Sequence, residues 1–312
     1  MFAVHNISFE FPDGRSIFRK LNFTIQEGEI ICVVGHSGAG KSTLLNAISS
    51  KVQLTEGEMF LDEDRIFGPE EKINPEHKEI AMVDQSFRQD IYFTVSQNIQ
   101  NQLLHFDPKE RISFTSELLE VFDLTGLAER KSYMLSGGEK QRLSMACALA
   151  KEPRLLLLDE PFVHLDVHLQ SRIGSYIRRL AELRNMSVIF VTHRGEEALG
   201  WADRIFFLSN GQIKTEYTPE KAYFKPRSLA EGRFFGELNS VYSDGKQILF
   251  RPNEYSLFPE AGKNIMLEVM PVRNEFRGAY YANYFKLNNN REIVVYNTDP
   301  LMSQNKIYVA KN

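Results

Sequence analysis

The sequence predicts an α/β protein with a parallel sheet covered by helices, followed by a small all-β domain, and three observations carry that reading. Short runs rich in Ile, Val and Leu at 30–34, 155–158 and 188–191 are bounded by glycine or acidic residues, as buried parallel strands are. Helical stretches at 41–49, 136–150 and 167–184 separate them, the alternation that builds a sheet with helices on its faces. From 241 onward the pattern changes to short alternating runs at 247–250, 265–269, 280–287 and 292–296, split by Asn, Gly and Pro, which reads as a small β-barrel.

Bulk properties bound what such a chain can be. Its 312 residues leave room for two domains, and a content of 43% hydrophobic and 25% charged residues excludes disordered and collagen-like classes. A formal net charge of -4 and a pI near 6.0 give no general attraction to nucleic acid, and no nucleic-acid partner is expected. Cys32 and Cys147 both lie in apolar stretches and read as buried small side chains in a reducing compartment. The N-terminus lacks a basic region followed by an apolar core, and no stretch approaches the ~18 apolar residues needed to span a bilayer. A membrane role would therefore come through a partner. Pro219, Pro226, Gly232 and Gly236 break the pattern, which places the boundary there: 1–225 for the α/β domain, with a helical subdomain at about 90–150, 226–240 as linker and 241–312 for the barrel.

The first motif follows the first apolar strand. Gly35, His36, Ser37, Gly38, Ala39, Gly40, Lys41 and Ser42 fit G-x-x-x-x-G-K-[ST], directly after Ile30–Val34 and directly before a helical pattern. Glycines let backbone N–H groups turn inward around phosphates, and the helix N-terminus favours anionic charge. In such a P-loop, Lys41 pairs with the β- and γ-phosphates of ATP, Ser42 ligates Mg²⁺ and Thr43 is a second phosphate donor. The simpler alternative is a Gly-rich turn capping a helix.

A second element weakens that alternative. The strand 155–158 runs into Asp159 and Glu160, and buried strands rarely end in paired acids without a reason. Asp159 at the strand tip is placed to hold Mg²⁺, and Glu160 to polarise the attacking water as general base. Without a phosphate loop in the same chain, a solvated acidic turn would be the better reading.

Between the two lies Leu135-Ser-Gly-Gly-Glu-Lys-Gln-Arg142, and here the sequence resembles the ATP-binding cassette (ABC) family. The resemblance implies an ABC ATPase that works as a head-to-tail homodimer, Ser136, Gly137 and Gly138 capping the nucleotide held by the opposite protomer. Gln85 resembles the family's Q-loop glutamine, implied to touch Mg²⁺ and to lie where transmembrane permease subunits dock. Thr94-Val95 and Asn98-Ile99 match the stretch that follows, whereas the usual Leu-Phe-Pro before them is absent. His193 resembles the switch histidine that contacts the γ-phosphate and positions water with Glu160. Leu165-Asp166 resembles the loop linking the two active sites, with Phe162 where small residues are usual. Phe11 falls where an aromatic stacks on adenine, with Phe9 as the competing choice. Arg194 stands where an acid is common.

Residues 218–226 and 234–239, with Arg251-Pro-Asn-Glu254, are similar to the junction of bacterial importer ATPases that carry a C-terminal OB-like barrel of the TOBE type. That implies an importer of a small hydrophilic solute (polyamine, ferric iron, oxyanion or sugar). It also implies a substrate-binding protein acting with the permease, and a place on the cytoplasmic, inner face of the cell membrane. A soluble ABC ATPase of translation or DNA repair would carry a second cassette or a long coiled-coil insertion. An exporter-type ATPase would end near 225.

Overall fold

The computed structural model describes residues 1–84, 89–163, 165–263 and 265–310. They form two compact units, Met1–Pro219 and Glu220–Asn312.

In the first unit the strands are β1 (Phe2–Glu10), β2 (Ser16–Ile25), β3 (Ile30–Val34), β4 (Glu56–Leu61), β5 (Asp64–Ile66), β6 (Ile80–Val83), β7 (Leu155–Asp159), β8 (Ser187–Val191), β9 (Arg204–Ser209) and β10 (Gln212–Tyr217). The helices are α1 (Lys41–Ile48), α2 (Val95–Gln102), α3 (Pro108–Val121), α4 (Gly137–Ala150), α5 (Val167–Arg184) and α6 (Gly195–Trp201). A six-stranded sheet has the order β10-β9-β3-β8-β7-β6, parallel except for β10 at its edge. Every residue of β3 and β8 is buried, which explains why their sequences are unbroken apolar runs: both faces of a parallel sheet are covered.

A second sheet, β2-β1-β4-β5, is antiparallel and shares its core with the first. Phe2, Ile7 and Phe18 meet Ile31 and Val33 of β3 and Leu44 and Ile48 of α1 there. The helical stretch is punctuated by side-chain caps. Thr94 and Gln97 form a capping box at α2, Asp107 caps α3 ahead of Pro108, and Ser136 and Glu139 form a capping box at α4.

The second unit holds most of α7 (Pro219–Phe224), then α8 (Leu229–Phe234) and strands β11 (Asn239–Ser243), β12 (Lys246–Phe250), β13 (Tyr255–Ser256), β14 (Ile265–Phe276), β15 (Tyr281–Leu287), β16 (Glu292–Asn297) and β17 (Lys306–Val309). All pairing is antiparallel, in a β11-β12 ladder and a sheet of order β13-β17-β14-β15-β16. Along β14 the partner changes: Glu268 still pairs with β17, whereas Val269 already pairs with β15. The Asn239 side chain bonds both backbone groups of Val294, at 2.7 and 2.9 Å, and so ties β11 to β16. Phe250, Val269, Phe285, Val295 and Ile307 centre the core.

The division falls at 219/220, earlier than the expected 225, and residues 226–240 carry α8 instead of an open linker. Buried Arg251 supplies a reason. Its guanidinium donates to the carbonyls of Tyr223, Gly236 and Glu237, fastening that segment to the strands that follow.

Candidate functional site

Strands β3, β7 and β8 are neighbours in the parallel sheet, and the residues that follow them at their carboxyl ends are 35–40, Glu160 and His193. The carboxyl edge of an open α/β sheet is where such folds collect ligands. After β3 the chain turns tightly through Gly38 (φ 78°) and Gly40 (φ 97°), backbone conformations that a side chain disfavours. At Gly35 a Cβ would lie 2.2 Å from the Leu208 carbonyl oxygen, so only glycine lets the loop leave the sheet there. The Ala39 N–H closes the turn on the His36 carbonyl at 3.1 Å.

Lys41 opens α1 and folds back over the loop, its Nζ donating to the carbonyls of Gly35 at 2.9 Å and His36 at 3.1 Å. Burial lowers its pKa, and the carboxylates of Glu160 and Asp159 favour its charge. Among the described residues no side chain caps α1, and its first turn holds no acidic residue.

Asp159 ends β7. Burial raises its carboxyl, the hydroxyl of Ser42 hydrogen-bonds it and counteracts the rise, Glu160 and Asp84 push it further up, and Lys41 draws it down. Asp84 is itself ion-paired with Lys51. The Asp159 carboxylate and the Ser42 hydroxyl that hydrogen-bonds it are oxygen donors of the kind a hard divalent cation takes.

Glu160 adopts a left-handed backbone (φ 52°), uncommon for a residue with a side chain. Hydrogen bonds over-determine it: its N–H donates to Val191 at 3.0 Å, and Gln141 Nε2 donates to the carbonyls of Glu160 at 3.0 Å and Pro161 at 3.1 Å. Its side chain is 29% exposed and Oε1 lies 3.2 Å from Nδ1 of His193, whose side chain is 60% exposed. A carboxylate and an imidazole so joined at the rim of the 35–40 loop can together activate and orient a water held against both.

The remaining predicted residues fall as follows. Ser136 and Gly137 are exposed at the start of α4, where the Ser136 N–H holds the Glu139 carboxyl below the usual carboxylate range. Gly138 lies in the first turn of the same helix, whose Gln141 reaches the backbone at Glu160. Asp166 caps α5 by accepting from the Leu169 N–H at 2.9 Å, which depresses its pKa. Phe9 belongs to the core; Phe11 is half-buried, 5.0 Å from Phe9, with the Arg15 guanidinium 4.7 Å above its ring. Arg15 also lines an open cleft of about 540 Å³, together with Ile17, His36, Ser37, Gly38 and Asn210. Ser42 and Thr43 lie in the first turn of α1. Gln85 lies outside the described residues.

Sequence reasoning passed over several contributors. Gln141 stood inside the quoted octapeptide without a role of its own. Phe162, unusual at its position, is buried against Trp201 (ring centroids 5.5 Å) and Phe190 (6.4 Å), so the turn after Glu160 packs on α6 and β8. Ile91, Tyr92, Phe93, Tyr133 and Met134 are all exposed, on two segments joined by backbone hydrogen bonds from Ser132 to Phe93 and from Tyr133 to Ile91. Exposed large apolar side chains grouped in this way are the kind of surface that a partner covers.

Comparison with known proteins adds independent support. The profile of a family described as ABC transporter matches residues 18–163. An Fe(3+) ions import ATP-binding protein of Haemophilus influenzae, FbpC 2, is 30% identical, the match covering 92% of this chain and 88% of that protein. Among solved structures, a dimeric post-hydrolysis state of the ATP-binding cassette MJ0796 bound to ADP and Pi superimposes with a TM-score of 0.63 at 29% identity, covering 70% of this chain and 99% of that one. CbiO1 from Clostridium perfringens, part of the ABC transporter complex cbiONQ, superimposes with a TM-score of 0.61 at 23% identity, over 70% of this chain and 89% of that one, a likeness of fold.

Proposed function

The chain belongs to the ATP-binding family of ABC transporters, and from that premise we propose that it drives a bacterial importer, coupling ATP-dependent closure of its own homodimer to a membrane permease. The observation that carries the reading is the convergence of Lys41, the Ser42–Asp159 pair and the Glu160–His193 contact at adjoining strand ends. Lys41 and backbone N–H groups of the 35–43 segment hold the β- and γ-phosphates. Glu160 takes a proton from the attacking water while His193 orients it against the γ-phosphate. Phe11 offers its ring to adenine once Arg15 moves aside or sandwiches the base.

Ser42, Asp159 and Gln85 would hold Mg²⁺, which supplies charge neutralisation at the β- and γ-phosphates. Ser136, Gly137 and Gly138 close on the nucleotide of the other protomer, and closure is driven by the tighter grip of the closed dimer on the γ-phosphate. Gln85 and the exposed patch of Ile91, Tyr92 and Phe93 receive the permease. No described helix is long and apolar enough to cross a membrane, so transport requires that partner. The relative's name favours ferric iron among the cargo classes, delivered by a substrate-binding protein. The second unit is read as a TOBE-type domain, with the chain on the inner face of the membrane.

Glu160→Gln with ATP and Mg²⁺ tests the engine. It should lose about 10²–10⁴-fold in hydrolysis and run as an ATP-loaded dimer in size-exclusion chromatography with light scattering. A monomer would overturn the closure mechanism. Purification of the tagged chain from solubilised membranes should bring a polytopic permease; ribosomal or repair proteins alone would overturn the transport reading.

A further inference from the structure

His193 sits on the short turn between β8 and α6, and its side chain is mostly exposed. Its reach to Glu160 therefore depends on how the backbone on either side is held. Thr192, 1% exposed, accepts the Arg194 backbone N–H at 3.0 Å and donates its hydroxyl to Glu197 Oε2 at 2.5 Å. Glu197, 2% exposed, accepts from Arg194 Nη1 on its other oxygen at 2.9 Å. The two residues flanking His193 are thus joined into one closed ring through a buried carboxylate.

The ring departs from the ordinary way of starting a helix. Arg194 is the N-cap of α6 and has no side-chain cap, and Glu197 is three residues on, the position from which a glutamate usually reaches back to the N-cap N–H. Here Thr192 takes that N–H, and Glu197 turns instead to the threonine hydroxyl and the guanidinium. A carboxylate buried to this degree requires a cation or donors, and Arg194 supplies the cation from the solvent side, its own side chain 46% exposed.

We infer that the ring of Thr192, Glu197 and Arg194 positions His193 for hydrolysis, Arg194 acting through Glu197 and touching no substrate. The inference rests on the reading of His193 as a residue of the hydrolytic site.

The test uses the full chain and measures kcat, KM, ATP affinity and melting temperature. Arg194→Ala should lower kcat about 10-fold, of the order lost when a proton-handling group is misplaced, while KM and ATP affinity stay near parental values. Arg194→Lys should restore most of kcat, because an ammonium still neutralises Glu197. Arg194→Ala with Glu197→Gln removes the unpaired buried charge, so a folded protein is available even if the single variant is unstable. It too should be slow. In a His193→Ala background, Arg194→Ala should cost nothing further, because residues that act through one another are not additive.

Parental kcat in both Arg194 variants, an additive loss in the His193→Ala background, or a fall in ATP affinity matching the fall in kcat would each overturn the ring's role. A His193→Ala protein as active as the parent would overturn the reading of the site itself, a result separable from the others because it involves no ring residue.

Discussion

The side-chain amide of Gln141, in the helix that opens at Ser136, donates to the backbone carbonyl of Glu160 at 3.0 Å. The same amide bonds Pro161 at 3.1 Å, so one side chain on α4 holds the turn whose left-handed residue carries the carboxylate facing His193. Gln141→Ala leaves two carbonyls short of a donor and frees a strained turn. It should reduce kcat about 10-fold with little change in KM and cost about 1–3 kcal/mol of stability. Steady-state ATPase assays and thermal melting of the same preparation check both.

Gly174, inside α5, faces Trp201: a Cβ there would lie 1.9 Å from Cη2 of the indole. Gly174→Ala should destabilise the first unit by about 1–3 kcal/mol, the cost of overpacking, although alanine is the better helix former. Trp201→Phe in the Gly174→Ala background should recover part of the loss in urea melts, because the clashing ring edge is gone.

Arg251 is fully buried and bonds three backbone carbonyls, with its ring-facing side over Tyr223 at 4.1 Å. Arg251→Met should cost about 3 kcal/mol and open residues 220–240 to limited proteolysis, because three buried acceptors lose their donor. Arg251→Lys should rescue poorly, since one ammonium cannot reproduce the planar fork.

Cys32 lies in the fully buried strand β3, and burial pushes its thiol well above the ordinary range, with Glu197 adding to the rise and Lys41 opposing it. The native thiol should resist iodoacetamide at pH 8 and react once the chain is unfolded in urea, measured by mass spectrometry of the Cys32 peptide. The sign for stability follows. Only the unfolded chain ionises this thiol above about pH 8.5, so the contribution is complete below that pH and is lost as pH rises.

The parts of the fold legible in the sequence were those written locally. β3, β7 and β8 announce themselves because burial on both faces demands unbroken apolar runs, and the loop at 35–40 because its conformation demands glycine. The antiparallel sheet β2-β1-β4-β5 was not read, since β1 and β2 mix buried and exposed residues irregularly around register shifts. Phe162 looked odd in sequence because its partners, Trp201 and Phe190, are distant along the chain. Gln141 and Glu197 were passed over for a related reason. Their meaning lies in which backbone groups they reach, and only the folded turn shows that. The tie from Arg251 to the carbonyls of Tyr223 and Glu237 was likewise invisible in the sequence, because the partners are 28 and 14 residues away.

The order of the parallel sheet bears on synthesis as well as on chemistry. β8 lies between β3 and β7 although it is made after both, and β9 then flanks β3 on its other side. A nascent chain that has emerged only as far as Glu160 carries the 35–40 loop and both acids, but not yet the strand that lies between β3 and β7. Non-local parallel pairing of this kind is slow to form. His193, which follows β8, can meet Glu160 only once that strand is in place. A ligand that binds the completed site better than a partial one favours the finished fold over shorter intermediates.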